Sequence, residues 1–338
     1  MTTRAGRVMA KRATARDVAE QAGVSKWTVI RAFTPGASIT ESSRAKVMLV
    51  AERLNYRPNL LARSLATNLT HQVAVLVDDF ENPYKLSFLE RLTLELQSEG
   101  LVAVLININE HFDHVHALLN ADQRQLDAVI MCGTAFRTEM LQDIRLDGAA
   151  PMFVLARDSQ IPGVPAINCD TTLAIKDLCR HLYGKGYRRP GFMAGPKTLS
   201  TALGRHRGFK AFWKAHGIAE MPELVAHHYS AASGAEAVRR YLNEVSPADR
   251  VDVLLCENDV LAFGAMDVIR GEFGLKVPAD IAVAGFDNTL FAAAPAYDLT
   301  TYEQPVEAMV KATVAMILGR EPKKTVIIPG RLVVRGSA

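Results

Sequence analysis

Three carboxylates in this 338-residue chain stand where side chains could act on a small molecule. Asp79 follows the apolar run from Gln72 to Val77, Asp287 closes Ala-Val-Ala-Gly-Phe-Asp, and Asp259 belongs to an Asn-Asp pair that opens a helical pattern. Paired carboxylates can serve as acid and base on a glycosidic bond. The accompaniments of catalysis are missing: no phosphate-cradling Gly-rich motif, no metal-ligand spacing and no nucleophile elbow. His111, His114 and His116 read as a solvated loop and helix start. Cys132, Cys169, Cys179 and Cys256 are far apart in apolar contexts, as buried thiols in a reducing cytoplasm would be. Neither enzymatic turnover, a cofactor nor a bound metal is expected.

A different chemistry gathers near the N-terminus. Lys26, Trp27 and Arg31 fall on the outward side of a short helical pattern. Lysine can donate to guanine acceptors, and an aromatic edge can pack on a thymine methyl. The elements that would hold these residues are legible. Thr14 followed by Asp17 is a capping-box start, with Val18, Ala19 and Ala22 as the apolar face of a first helix. Gly23 can take the left-handed backbone that ends that helix. Ser25 caps a second helix that buries Val29, Ala32 and Phe33. Helix, glycine turn and capped helix outline a helix-turn-helix, whose second helix can enter a DNA major groove. The competing place for Trp27 is the core of this small head. Thr40-Glu41 opens a third helix along Val47, Val50, Ala51 and Leu54, and Asn55-Tyr-Arg-Pro-Asn breaks it. Charge follows the same division. Residues 1–70 hold 12 Lys or Arg against 4 Asp or Glu, a balance of +8, and the remainder carries −5. A basic head suits a polyanion and a near-neutral body suits something else.

From His71 onward strand and helix alternate. Strands are expected at 72–77, 101–106, 128–132 and 151–155, with helices at 82–100, near 113–126 and at 138–146. A second series expects helices at 171–185, 200–216, 232–245 and 258–273, and strands at 190–194, 224–229, 251–256 and 281–286. Alternation of this length predicts doubly wound parallel sheets, and the two series predict two such units. The fold class is therefore α/β, with a small all-α head. No run approaches the roughly 18 uninterrupted apolar residues of a membrane span. The charged N-terminus lacks the apolar core of a secretory signal, so a cytoplasmic protein without membrane contact is expected.

The order DVA..AGVS..TV.R, then LNYRPN, then ARSLA resembles the DNA-binding head and hinge of the lactose/galactose repressor (LacI/GalR) family. The alternating body resembles that family's sugar-binding core, which is like a periplasmic solute-binding protein, and Leu-Thr-Thr-Tyr-Glu-Gln-Pro at 299–305 fits its closing pattern. The resemblance implies a head at 1–57, a hinge helix and linker at 58–70, and an effector-binding and dimerisation core at 71–338. Lobe one would span about 71–168 and 299–327, and lobe two about 169–298 and 328–338. Lys26 and Trp27 occupy the positions that the family uses most to read base edges. Arg31 matches an arginine that reads a base or clamps a phosphate, and Ile30 replaces the usual serine. Thr14, Ser25, Thr28 and Asn55 would serve caps and phosphates. Leu65 sits where a leucine pries apart a minor-groove base step, with Ala62 beside it; the other reading has the hinge leucines packing on the body. Seven residues cannot hold an isolated helix in water, so this one would need a partner copy and DNA.

In the core, the resemblance points to Asp79, Tyr84, Arg157, Arg205, Tyr229, Asn258 and Asp287 as effector contacts at strand ends facing an interlobe crevice. An arginine, carboxylates, an amide and aromatics suit a polyhydroxylated ligand. Asp259 serves equally well as a helix cap, and Asn82 as a turn residue before Pro83. Ala156 replaces a frequent aspartate and is followed by Arg157, and Lys85 replaces a frequent aromatic. An acid lost and bases gained tilt the site toward a sugar acid or sugar phosphate, unless both bases reach solvent instead. The leading reading is a homodimeric transcription regulator, a repressor of carbohydrate-metabolism genes. It would bind palindromic double-stranded operator DNA under control of a small sugar or sugar-acid effector. A sugar-processing enzyme and a solute-binding protein for transport are the competing classes.

Overall fold

The computed structural model describes residues 13–34, 36–58, 69–108, 126–134, 150–159, 161–196 and 203–338. The chain divides into two compact units, 1–70 and 71–338. The expected hinge helix with Ala62 and Leu65 lies outside the described residues, as do the helices expected near 113–126 and at 138–146, apart from Leu126.

Among its described residues the first unit holds three helices, α1 (Ala15–Ala22), α2 (Lys26–Ala32) and α3 (Glu41–Arg53). The Thr14 hydroxyl accepts from the Asp17 amide while the Asp17 carboxylate accepts from the Thr14 amide at 2.7 Å, a reciprocal cap. Gly23 has φ 64°, a left-handed turn that a side chain would strain. Ser25 and Thr40 cap the next two helices. Val18, Ala19, Val29, Ala32, Val47, Val50 and Ala51 form one buried cluster, closed by an edge-on contact of Phe33 with Tyr56. The Arg44 guanidinium donates to the Ala32 carbonyl at 2.6 Å, tying α3 to the end of α2.

The second unit is built on two parallel sheets. The larger has six strands in the order β11-β5-β4-β3-β1-β2: β1 (Gln72–Val77), β2 (Val102–Asn107), β3 (Ala128–Cys132), β4 (Met152–Leu155), β5 (Ala166–Cys169) and β11 (Val326–Ile328). Val73 and Val75 face α4 (Pro83–Ser98) and α9 (Val306–Ile317), whereas Ala74 and Leu76 enter the cluster on the other face. Burial on both faces is why β1 is continuously apolar instead of alternating. The smaller sheet runs β7-β6-β8-β9, from β6 (Pro190–Ala194), β7 (Glu223–Val225), β8 (Val253–Cys256) and β9 (Ala282–Ala284). Helices α5 (Thr171–Gly184) and α6 (Arg205–Ala215) cover one face, and α7 (Ala231–Glu244) and α8 (Asp259–Gly271) the other. A short antiparallel pair, β10 (Thr301–Glu303) with β12 (Arg331–Val333), completes the unit. The chain passes between the sheets at 169–171, 303–306 and 328–331.

Strands β5 and β11 were not expected. Polar Asn168 interrupts β5, flanked by Pro165, and β11 is three residues long. The strand expected at 224–229 ends at Val225, because the amides of His227 and His228 turn onto the Ser233 hydroxyl. The strand expected at 281–286 ends at Ala284, after which Gly285 and Asp287 donate to the carbonyls of Thr300 and Tyr302. That departure carries Asp287 to its place.

Candidate functional site

In the head, α2 buries Val29 and Ala32 and turns Lys26, Trp27, Ile30 and Arg31 outward. Trp27 is 68% exposed, so it is not a core residue. The hydroxyls of Thr14, Ser25 and Thr28 are engaged in caps: Ser25 Oγ accepts from the Thr28 amide at 3.1 Å and bonds Thr28 Oγ1 at 2.9 Å. Asn55 is exposed at φ 47°, just past the end of α3. The capped start of α2 therefore presents a lysine, an indole and an arginine from one rigid support, a shape and charge that fit a major groove.

In the second unit the polar groups gather where strands end. Asp78 and Asp79 follow β1, Gly133 and Thr134 follow β3, and Arg157 follows β4 by two residues. Glu257 and Asn258 follow β8, and Asp287 lies beyond β9. This is the end of a parallel sheet at which ligands bind. Asp79 sits at φ 56° and hydrogen-bonds with the Asn82 side chain. Burial, with the negative charges of Asp78 and Asp287 adding to it, pushes its carboxyl up to about 7, against the pull of Lys85. Asp287 is pushed up to about 7 as well, first by burial and then by Asp259, with Arg205 opposing; Gln304 Nε2 donates to its Oδ1 at 2.7 Å.

Arg205 is buried with its guanidinium 4.0 Å above the Phe286 ring, and its Nη1 donates to the Glu257 carbonyl at 2.9 Å. The Tyr229 ring lies against Gly195, where a Cβ would collide with it, and its hydroxyl bonds the Glu257 carboxylate. The Gly195 amide donates to Glu257 Oε2 at 2.6 Å. Tyr84 is buried on Phe88. Its hydroxyl, Arg205 Nε and Gln304 Oε1 have no hydrogen-bond partner among the described residues. The fields of Asp287 and Arg205 reach Tyr84, and those of Glu257, Arg205 and Asp79 reach Tyr229, so these groups lie near one another.

Residues 70–327 match the family described as periplasmic binding proteins and sugar binding domain of LacI family. Residues 14–59 match bacterial regulatory proteins, lacI family. The chain belongs to the LacI family. Among its relatives is the HTH-type transcriptional repressor PurR of Photorhabdus laumondii, 30% identical over 333 residues and 96% of each chain. Similar structures include the lac repressor dimer bound to operator and the anti-inducer ONPF, with TM-score 0.83 and 24% identity over 97% of this chain and 99% of that one. A LacI transcriptional regulator from a Rhodococcus species gives 0.69 and 26% over 79% and 98%.

Against the LacI-family expectations, the geometry gathers Asp79, Tyr84, Arg205, Tyr229 and Asp287 and gives three other residues structural work. Asn258 caps α8, accepting from the Leu261 amide at 3.1 Å. Asp259 does not cap its helix; it accepts from the Thr289 amide at 2.7 Å and Thr301 Oγ1 at 2.6 Å, pinning the turn after Asp287. Arg157 Nη1 donates to the Gly133 carbonyl at 2.9 Å. Lys85 is buried, 3.4 Å from Asp78 and 3.2 Å from the Cys132 carbonyl. Neither base reaches solvent, and each has partners at the strand ends of the larger sheet. Sequence reading missed Asp78, Glu257 and Gln304. Asp78 and Glu257 obey the strand-end rule that found Asp79; Gln304 gave no signal beyond its place in Tyr-Glu-Gln-Pro. No group of metal-ligating side chains and no helix long and apolar enough to cross a membrane occurs among the described residues.

Proposed function

We propose that this LacI-family protein is a dimeric repressor of carbohydrate-metabolism genes. It reads a palindromic operator with Lys26, Trp27 and Arg31, and a polyhydroxylated effector in the crevice controls it. Thr14, Ser25, Thr28 and Asn55 hold the head on phosphates, and Leu65 with Ala62 wedges the minor groove. The observation that carries the effector site is the convergence of Asp79, Tyr84, Arg205, Tyr229 and Asp287 with three buried polar atoms lacking partners. Buried polar atoms are rarely left unsatisfied, and a ligand rich in hydroxyls supplies both donors and acceptors to them. The lobes share the site, so occupancy favours one lobe geometry, and that bias is linked to hinge pairing on DNA.

The test is a thermal-shift screen of sugars and sugar acids followed by footprinting with each hit. A sugar that stabilises the core and changes protection of a two-fold symmetric site is expected. Turnover of the sugar would favour the enzyme class instead, and ligand binding without any DNA preference would favour the solute-binding class.

A further inference from the structure

Among the described residues, the charges of the crevice do not balance. Its described residues include the carboxylates Asp78, Asp79, Glu257, Asp259 and Asp287 against Lys85, Arg157 and Arg205. Lys85 is engaged by Asp78 deep in lobe one. Arg157 bonds the Gly133 carbonyl, and Asp259 is held by Thr289 and Thr301. Among the described residues, what remains at the ligand position is Asp79 from lobe one, Glu257 and Asp287 from lobe two, and one cation, Arg205.

Arg205 tempers the charge of Asp287 without pairing with any of the three. It donates to a backbone carbonyl, stacks on Phe286, and forms no ion pair with any of the three carboxylates. Glu257 instead takes the Gly195 amide and the Tyr229 hydroxyl, which fix its carboxylate in place. Asp287 is held by Gln304, whose remaining buried oxygen is an acceptor in want of a donor. Carboxyl acceptors from both lobes thus gather beside one arginine, and burial holds those of Asp79 and Asp287 above the usual carboxylate range. An anionic ligand would add to this negative charge; a ligand bearing an ammonium group and hydroxyl donors would relieve it.

We propose that the effector is a cationic, ammonium-bearing polyol of the amino-sugar class, its positive group seated between Asp79 of one lobe and Asp287 and Glu257 of the other. Glu257 is the specificity-determining residue in lobe two. The proposal rests on the crevice being the effector site. Binding draws the two lobes onto one charge, so the cation is what favours the closed arrangement, and it releases protons from Asp79 and Asp287 near neutral pH.

The test uses the full-length protein and matched sets of probes: hexosamines, the corresponding neutral hexoses and hexonic acids, and aliphatic amino alcohols of similar size. Thermal shift ranks them, and calorimetry in two buffers of different ionisation enthalpy counts protons. Ammonium-bearing members should bind at least about tenfold more tightly than their neutral partners, with protons released. Glu257→Gln should remove most of that preference, and Glu257→Asp should restore part of it. Equal or tighter binding of the neutral or acidic partners by the wild type, or a preference unchanged in both Glu257→Gln and Asp79→Asn, overturns the proposal. Stabilisation by no member of any charge class, with operator selection intact, overturns the effector-site reading beneath it.

Discussion

Replacing Asp79 with asparagine should change how the stability of the core depends on pH. The Asp79 carboxyl lies at about 7 in the folded chain and near 3.8 when exposed, because burial and the neighbouring Asp78 and Asp287 penalise its charge. The folded state therefore holds this proton where the unfolded chain has released it. Stability contributed by the protonated form is complete below about pH 4 and is lost as pH rises towards about 7. One pKa unit corresponds to about 1.4 kcal/mol, so the upper bound on the loss is about 4 kcal/mol at pH 8. Asparagine carries no charge at any pH. It also weakens the Asn82 contact, and the gain at pH 8 is reduced by about 1 kcal/mol for that bond. The variant should match the wild type or fall slightly below it at pH 4.5. At pH 8 it should melt higher, by about 2 °C or more per kcal/mol recovered for a unit of this size. Differential scanning calorimetry of both proteins from pH 4.5 to 8 reads this directly. Parallel curves across that range would refute the buried, unpaired carboxylate on which the crevice argument stands.

Three further outcomes follow from single contacts. Gly264 on α8 faces the Ala231 carbonyl so closely that any Cβ would overlap it, so Gly264→Ala should destabilise the core by about 1–3 kcal/mol in urea unfolding as α7 and α8 part. Lys85→Met should cost about 3–5 kcal/mol in urea unfolding by removing the buried ammonium that faces the Asp78 carboxylate and the Cys132 carbonyl. Trp27→Ala should leave head stability within about 0.5 kcal/mol, since the ring is 68% exposed, yet cost about 1–3 kcal/mol in specific DNA binding by anisotropy titration. Loss of folding instead would return the indole to the core.

The head was readable because its signals are local. Thr14 with Asp17, Gly23 and Ser25 act within four residues of themselves, and the apolar spacing that buries Val18, Val29 and Val47 survives in any context. The parallel sheets were readable for a related reason, since burial on both faces writes a continuous apolar run such as 72–77. Strand β5 was not, because its pairing with β4 and β11 supplies what its short, Asn-interrupted sequence lacks. The crevice was half legible. Strand-end position marks Asp79 and Asp287, but which carboxylate keeps a cation depends on contacts between distant segments. Lys85 reaches Cys132 and Asp78, and Asp259 reaches Thr301 across 42 positions. Such partners leave no trace in spacing.

The central claim, a LacI-family regulator whose α2 reads a DNA sequence, is tested most directly by selecting binding sites from a random duplex library with the full-length protein at moderate ionic strength. The account predicts enrichment of one two-fold symmetric site, with base preference at the inner positions of each half lost in Trp27→Ala and Arg31→Ala. Binding that stays uniform across the library, and equal in wild type and both variants, would contradict it.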